Sequence, residues 1–441
     1  MTYRPRPVSG FPEHLPEIRM VELAMLDRIR ATFESYGFAP IETPSVEELE
    51  ILLAKGETDK EIYTIERLQA DEHSAGEARL GLHYDLTVPF ARYVAQHFND
   101  LVFPFKRYQM QRVWRGERPQ AGRFREFTQC DIDVIGIDNL AVTFDAELAA
   151  VAMQALEAIG VSGVTLHISN RKILDGFLQG LGLEPAGRVS VIRAIDALHK
   201  VGADQTKAAI CAVFPDHGDR EAIAAKSVAL ASISETGVEL VERVQALGIA
   251  HPVLESGLAE LSQVMSHLRF LGASNIVADL SIARGFDYYT GTVYEGRFDD
   301  APGFGSIVAG GRYDDLAGAF INKKLPGVGI SIGFSRLFVK LLQDKAITHI
   351  RRSPADVLIV LPSEDRREIM LVTAQALRKR GFKVETYHAP QKVGKQLSYA
   401  EKKGIPFVWF PPFEDGQPHE VKDMASGAQA PAAIENWSPS P

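Results

Sequence analysis

Thiols are nearly absent from this chain: Cys130 and Cys211 are the only two in 441 residues. That is too few for a disulfide framework or a four-ligand zinc site, and neither lies in a C-x-x-C pair, so a reducing compartment is expected. No purely apolar run approaches a membrane span, and Met1 to Gly10 carry prolines and arginines in place of an apolar signal core. No membrane association and a cytoplasmic location are therefore expected. Positive charge is in deficit, and a net charge of −9 argues against diffuse nucleic-acid binding. No glycine loop ends in the Lys-Ser/Thr of a P-loop, and none has the strand-then-helix setting of a dinucleotide fingerprint. Repeats of solenoid length are also lacking.

What is present suits a soluble protein of several cores. At 441 residues and 46% apolar content, two or three domains are expected. The charge deficit reverses locally in FKRYQMQRVWRGERPQAGRFRE, residues 105 to 126, which holds Lys106, Arg107, Arg112, Arg115, Arg118, Arg123 and Arg125 against Glu117 and Glu126. A solvated basic hairpin would look the same; the interleaved aromatics favour contact with a nucleotide or nucleic acid.

Apolar residues at Ile18, Val21, Met25, Ile29, Phe33 and Tyr36 predict an amphipathic helix ending before Gly37. In FAPIETPSVEE the prolines Pro40 and Pro44 confine an extended run to an edge or an interface. LGLHYDLTVPFARYVAQHF reads as a strand running into a helix with Thr87 as its N-cap. Residues 103–115 and 125–135 form a large antiparallel hairpin. Helical spacing over 139–159 and a strand at 164–169 follow. Residues 171–262 read as an inserted helical subdomain, after which extended patterns resume at 275–298. A glycine cluster at 303–312 reads as a turn between strands, and LPGVGISIGFSRLFVKLL as a buried strand leading into a helix. The tail alternates strand 356–361, helix 365–380, strand 382–387, helix 394–403 and strand 405–410, a separate small α/β domain with a frayed last dozen residues.

Three runs carry candidate chemistry. On the strand after residue 125, alternation turns Phe127, Gln129, Asp131 and Asp133 to one face and Thr128, Cys130, Ile132 and Val134 to the other. A plain solvent-facing strand has the same pattern. ARGFDYYTG, residues 283–291, sets Arg284, Asp287, Tyr288 and Tyr289 in an otherwise apolar stretch. A permanently charged guanidinium there suits a phosphate oxygen, and the tyrosines suit a small planar ligand; a tyrosine-rich sheet edge with a structural ion pair is the alternative. GFGSIVAGGRYDD adds little alone.

Together these runs resemble the three motifs of class II aminoacyl-tRNA synthetases, and more narrowly the histidyl branch of eukaryote-like type. FAPIETPSVEE is similar to motif 1, with Pro44 as its dimer-interface proline. RVWRGERPQAGRFREFTQCDIDVIG is similar to motif 2, GVGISIGFSRL to motif 3 and ARGFDYYTGTVYEG to the histidine-specific motif. His83, Phe286 and Ser335 depart from residues usual in that family. The resemblance implies an α+β chain: a class II mixed, largely antiparallel sheet catalytic domain over 1–170 and 263–345, a helical insertion over 171–262 reaching toward the acceptor stem, and a small α/β anticodon-binding domain over 346–441. It implies a homodimer that joins L-histidine to tRNA(His) with ATP as substrate and Mg²⁺ on the ATP phosphates, with no protein-held metal.

Roles follow from the same resemblance. Arg115 grips the α-phosphate beside the histidine carboxylate, Arg284 stands against the α-phosphate, and Arg336 holds the γ-phosphate. Glu117 reads the adenine amino group and Arg123 meets ATP or the acceptor end. Asp85, Thr87 and Gln129 surround the α-amino group, Leu86 belongs to the same histidine-binding set, and Asp133, Tyr288 and Tyr289 receive the imidazole. A synthetase-like regulatory subunit or a class II ligase for another amino acid are the competing expectations.

Overall fold

The structure is a computed structural model describing residues 4–54, 62–67, 79–120, 122–235, 239–282, 289–315, 317–318, 320–347 and 351–439. It divides into two compact units, one of residues 1–12 and 26–344 and one of residues 13–25 and 345–441.

In chain order the strands of the larger unit are β1 (Ala39–Pro40), β2 (Val46–Glu48), β3 (Thr64–Ile65), β4 (Leu80–Leu82), β5 (Phe105–Trp114), β6 (Glu126–Ile135), β7 (Val164–Asn170), β8 (Ser234–Glu235), β9 (Ile276–Asp279), β10 (Tyr289–Phe298), β11 (Val308–Tyr313) and β12 (Gly327–Ile332). Nine of them form one sheet in the order β1-β5-β6-β12-β11-β10-β7-β9-β8, and β2, β4 and β3 form a small second sheet. The run from β5 to β7 is antiparallel throughout, whereas β1 pairs parallel to β5 and β9 parallel to β7. Pro40 thus sits on an edge strand, where its missing N–H costs no ladder bond.

The helix read from residue 18 runs over Pro16–Ser35 and the one after the DLT segment over Thr87–Gln96. The capping expectation for Thr87 needs correction: Asp85 Oδ1 accepts from the Val88 N–H at 3.1 Å, and Thr87 is the first helical residue. The glycine cluster also departs from expectation. Residues 308–313 are a central strand, so Gly310 and Gly311 serve close packing across the sheet and not a turn. Helices dominate residues 171–270, including Arg171–Gly180, Pro185–Asp196, Ala203–Val213, Arg220–Ala231 and Pro252–Phe270, and they cluster with the sheet in the same compact unit.

In the smaller unit, β13 (Val357–Ile359), β14 (Val384–Thr386), β15 (Phe407–Phe410), β16 (Glu420–Asp423) and β17 (Gln429–Pro431) make a five-stranded sheet in the order β14-β13-β15-β16-β17. The first three strands are parallel, with helices Arg367–Lys379 and Val393–Lys403 between them, as the alternating tail pattern implied. Of the last dozen residues, those described, 430–439, are not frayed. Gln429–Pro431 adds an antiparallel strand, and the Trp437 ring packs 5.0 Å from Phe382, 5.3 Å from Phe407 and 5.4 Å from Trp409. A Pro- and Ala-rich composition hid a terminus held by one aromatic anchor.

The central sheet is tied to helix Thr143–Ala158 by two charged contacts, Lys106 on Glu147 and the more buried Arg312 on Asp145. Arg312 on β11 donates from Nε to both carboxylate oxygens of the fully buried Asp145, at 3.0 and 3.1 Å, and from its terminal nitrogens to the carbonyls of Leu140 and Ala141. Replacing Asp145 with alanine leaves that guanidinium without its counter-charge, so Asp145→Ala is expected to lower the unfolding free energy by about 3 kcal/mol. Urea denaturation of the two proteins checks this; equal midpoints would show the pair to be dispensable.

Candidate active site

The register of three neighbouring strands builds the site. On β6 the period of two turns Phe127, Gln129, Asp131 and Asp133 into a cleft of about 280 Å³, while Cys130, Ile132 and Val134 are buried on the other side. Across on β5, Arg107 stands directly opposite Asp133, Gln109 opposite Asp131 and Gln111 opposite Gln129. On the other flank, β12 places Gly329 beside Asp133 and Ser331 beside Asp131.

Each neighbour has a distinct effect. Arg107 is fully buried, holds Asp133 Oδ2 at 2.7 Å and lies 4.2 Å from the centre of the Phe90 ring. The Tyr313 hydroxyl donates to Asp133 Oδ1 at 3.0 Å, so both oxygens of that carboxylate are fixed. Gly329 leaves the space: a Cβ there would stand 2.1 Å from Asp133 Oδ1. Gly311 does the same under Tyr289, whose ring carbon lies 2.7 Å from where a Cβ would be. Ser331 accepts from Gln129 Nε2 at 2.7 Å and bonds Asp131 through its hydroxyl.

Asp85, Asp131 and Asp133 therefore share one poorly solvated region of the cleft. Burial pushes the Asp131 carboxyl up to about 7, with Arg107 and Ser331 opposing the rise and Asp133 and Asp85 adding to it. Burial raises Asp133 to about 6, against the pull of Arg107 and the Tyr313 bond. Asp85 is raised too, again mainly by burial, and is drawn back by its backbone bonds and by Arg115 and Arg107.

The remaining walls are cationic. Arg115, Arg123 and Arg336 line the same cleft with Glu117. Arg115 donates from Nε to the Tyr84 carbonyl at 3.0 Å and lies 5.2 Å from the centre of the Phe127 ring. Arg336 donates to the carbonyls of Gly122 and Ser306 at 3.0 and 2.8 Å, and Arg123 pairs with Glu117 at 3.1 Å. Burial lowers the Arg336 pKa first, and the neighbouring charges of Arg123 and Arg115 add to it. Arg115 also feels Asp85, which puts it between the acidic and the basic ends.

Of the residues singled out from sequence, the cleft brings together Asp85, Thr87, Arg115, Glu117, Arg123, Gln129, Asp133, Tyr289 and Arg336. Leu86 does not line it: its apolar side chain is fully buried below the start of the helix. Arg284, Phe286, Asp287 and Tyr288 lie outside the described residues. Two of the departures from family usage have structural explanations. His83 is buried behind the cleft, its Nε2 2.7 Å from the Arg112 carbonyl and its ring 5.5 Å from Trp114, and burial lowers its pKa. Ser335 accepts from the Thr128 N–H at 2.8 Å and so ties the motif 3 helix to β6.

Sequence reading gave no role to Arg107, Asp131, Tyr313 or Ser331. Asp131 was visible in the alternation. Tyr313 and Ser331 required knowing that the two glycine-rich runs are adjacent strands. Much of the basic stretch is neutralised internally, with Lys106 on Glu147, Arg107 on Asp133, Arg112 on Glu126 and Arg123 on Glu117.

A carboxyl whose pKa is raised on folding loses stability as pH climbs from its ordinary range to its folded value, because only the unfolded chain releases the proton easily. Without ligand, Asp131→Asn is thus expected to be more stable than the parent at pH 8, by on the order of 2 kcal/mol, and to converge with it near pH 4. Denaturation at a series of pH values tests this; a variant less stable at every pH would contradict it.

The chain matches the family "Histidyl-tRNA synthetase" over residues 10–337 and the family "Anticodon binding domain" over residues 356–436. It is 58% identical over 435 residues to the histidine–tRNA ligase of Thermobifida fusca, covering 99% of this chain and 98% of that one. It is 46% identical over 444 residues to that of Micrococcus luteus, covering 98% and 96%. Among solved structures, histidyl-tRNA synthetase from Nostoc sp. PCC 7120 superposes with a TM-score of 0.88 at 37% identity, covering 98% of each chain. Matched along nearly its whole length in sequence and in structure, the chain belongs to the histidyl-tRNA synthetase family.

Proposed function

We propose that this cleft activates L-histidine with ATP, giving histidyl-adenylate and pyrophosphate, and that the chain then transfers histidine to the 3′ end of tRNA(His). The observation that carries the reading is the division of one cleft into a buried acidic end around Asp85, Gln129 and Asp133 and a basic end of Arg115, Arg123 and Arg336. An amino acid that carries a cationic ammonium suits the first, and a polyphosphate the second.

The imidazole is assigned to Asp133 and Tyr289, with Tyr288 beside them, and the ammonium to Asp85, Thr87 and Gln129. Arg115, at the junction, is placed to meet both the histidine carboxylate and the α-phosphate. Arg284 is assigned to the same phosphate, Arg336 to the γ-phosphate, and Glu117 and Arg123 to the nucleotide. A carboxylate oxygen attacks the α-phosphorus as the bond to the pyrophosphate oxygen breaks, and pyrophosphate leaves with the electron pair. The nucleophile is already anionic, so the protein needs no general base for this step; positioning and charge neutralisation do the work. Mg²⁺ is assigned to the ATP phosphates and enters as part of the nucleotide substrate.

Selection of histidine is a polar problem. The Asp133 carboxylate, fixed by Arg107 and Tyr313, would be left without a ring N–H donor when an apolar side chain enters, and sites built to hydrogen-bond a substrate reject such analogues by roughly 10⁴-fold or more. The anticodon-binding domain favours a ligase over a regulatory subunit of the same fold. A homodimer through the FAPIETPSVEE segment and action in the cytoplasm complete the reading; among the described residues no helix is long and apolar enough to cross a membrane.

Charging of total tRNA with labelled histidine tests the assignment, together with ATP–pyrophosphate exchange run with each amino acid in turn. Exchange driven by histidine alone is expected; equal exchange with another amino acid, or none, ends the reading. Asp133→Ala and Tyr289→Phe are expected to cut kcat/KM for histidine in exchange, by roughly 100-fold or more for the charged group, while the ATP KM stays within a few-fold. Unchanged exchange would remove these side chains from the pocket.

A further inference from the structure

The acidic end of the cleft contains buried acceptor atoms without a hydrogen-bond partner among the described residues. Three of them are Asp85 Oδ2, Gln129 Oε1 and Asp131 Oδ1. All three side chains line the same cleft and all are buried, Asp131 at 3% exposure. A buried acceptor left unpaired costs free energy, and three together in one cleft indicate a donor that arrives with the ligand. The fixed hydrogen bonds limit the choice. Gln129 uses its amide nitrogen on Ser331, which leaves its carbonyl as the free group, and Asp85 uses Oδ1 on the Val88 N–H. Ser331 also bonds Asp131, so one hydroxyl orients two of the three acceptors.

We propose that Asp131, in place of the Thr87 hydroxyl, is the third acceptor for the substrate's α-ammonium group, alongside Asp85 and Gln129, and so a substrate-binding residue of the amino-acid site. An ammonium has three N–H donors and no acceptor, which matches three acceptor atoms held without donors of their own. Charge agrees with stereochemistry. Asp131 faces Gln109 on β5 and Ser331 on β12, with Asp133 on its own strand, Asp85 ahead of the helix, Cys130 beside it and the Arg107 guanidinium nearby. Three carboxyls against the fully buried Arg107 guanidinium and that of Arg115, which also acts on Asp85, leave a deficit of positive charge, and the ammonium supplies it. Burial pushes the Asp131 carboxyl up to about 7, and a cation beside it favours the ionised form.

This inference rests on the cleft being the histidine site, so the experiment separates the two. Histidine-dependent exchange by the parent enzyme establishes the site; its absence would remove the underlying reading and not test Asp131. With exchange in hand, inhibition constants are measured for histidinol, which keeps the ammonium and lacks the carboxylate, and for imidazolepropionate, which lacks the ammonium. Asp131→Asn is expected to weaken histidinol by roughly 10- to 100-fold while imidazolepropionate binds at least as well as to the parent. The parent's advantage for histidinol is also expected to grow between about pH 6 and pH 8, as the carboxyl ionises. Equal losses for both ligands, no loss for either, or an advantage independent of pH would each overturn the proposal.

Discussion

The site depends on a guanidinium that does not itself line the cleft. Arg107 is fully buried, its partner Asp133 is only 3% exposed, and the two face each other across adjacent strands at 2.7 Å. Removing both charges from water costs about what their attraction returns, so such a pair is a poor source of stability. Its value lies in what it does to its neighbours. Without Arg107, burial would favour the protonated form of Asp85, Asp131 and Asp133 alike, and a pocket of neutral carboxyls would bind a cation weakly. With it, Asp133 is both drawn toward ionisation and fixed in orientation, and the cleft keeps an acidic floor.

Antiparallel register converts that single pairing into a layout. Because β5, β6 and β12 run antiparallel in continuous pairing, every second residue of β6 has a defined partner on each side. Arg107 and Gly329 flank Asp133; Gln109 and Ser331 flank Asp131. A slip of one residue would send Gln129, Asp131 and Asp133 to the buried face now taken by Cys130, Ile132 and Val134. The long strands and the apolar rear face make that slip costly, so the precision of the site is a property of the sheet and not of the loops around it.

Periodicity made much of this legible in the sequence. The alternation along 126–135, the hairpin, the edge strand at Pro40, the helices at 16–35 and 87–96 and the α/β alternation of the tail all follow from local pattern. What stayed hidden depends on contacts between distant segments. Arg107 sits among other basic residues, and no local signal distinguishes the one that is buried. Gly310 and Gly311 look like turn residues until β10 and β12 are placed on either side of their strand. Asp85 takes the capping role that its neighbour Thr87 seemed to fit. Trp437 is an isolated aromatic in a Pro-rich tail, and only the fold shows the three rings it meets.

On the proposed assignment of the two ends of the cleft, Arg115 could not be exchanged for a lysine without loss. It anchors one nitrogen on the Tyr84 carbonyl and stacks near Phe127, which leaves the rest of a rigid fork pointing between Asp85 and the arginines beyond. A lysine has a single rotatable centre and could satisfy the carbonyl or the ligand, but not both in one fixed geometry. At a junction where the substrate carboxylate must come up to the phosphorus of a second anion, that planarity does two things at once. On that assignment it would neutralise the repulsion between the two anions and help to hold them for in-line displacement. On the same assignment, the acidic floor would anchor the amino acid by its cationic and ring ends, the basic wall would anchor the polyphosphate, and the reaction would occur where the two fields meet.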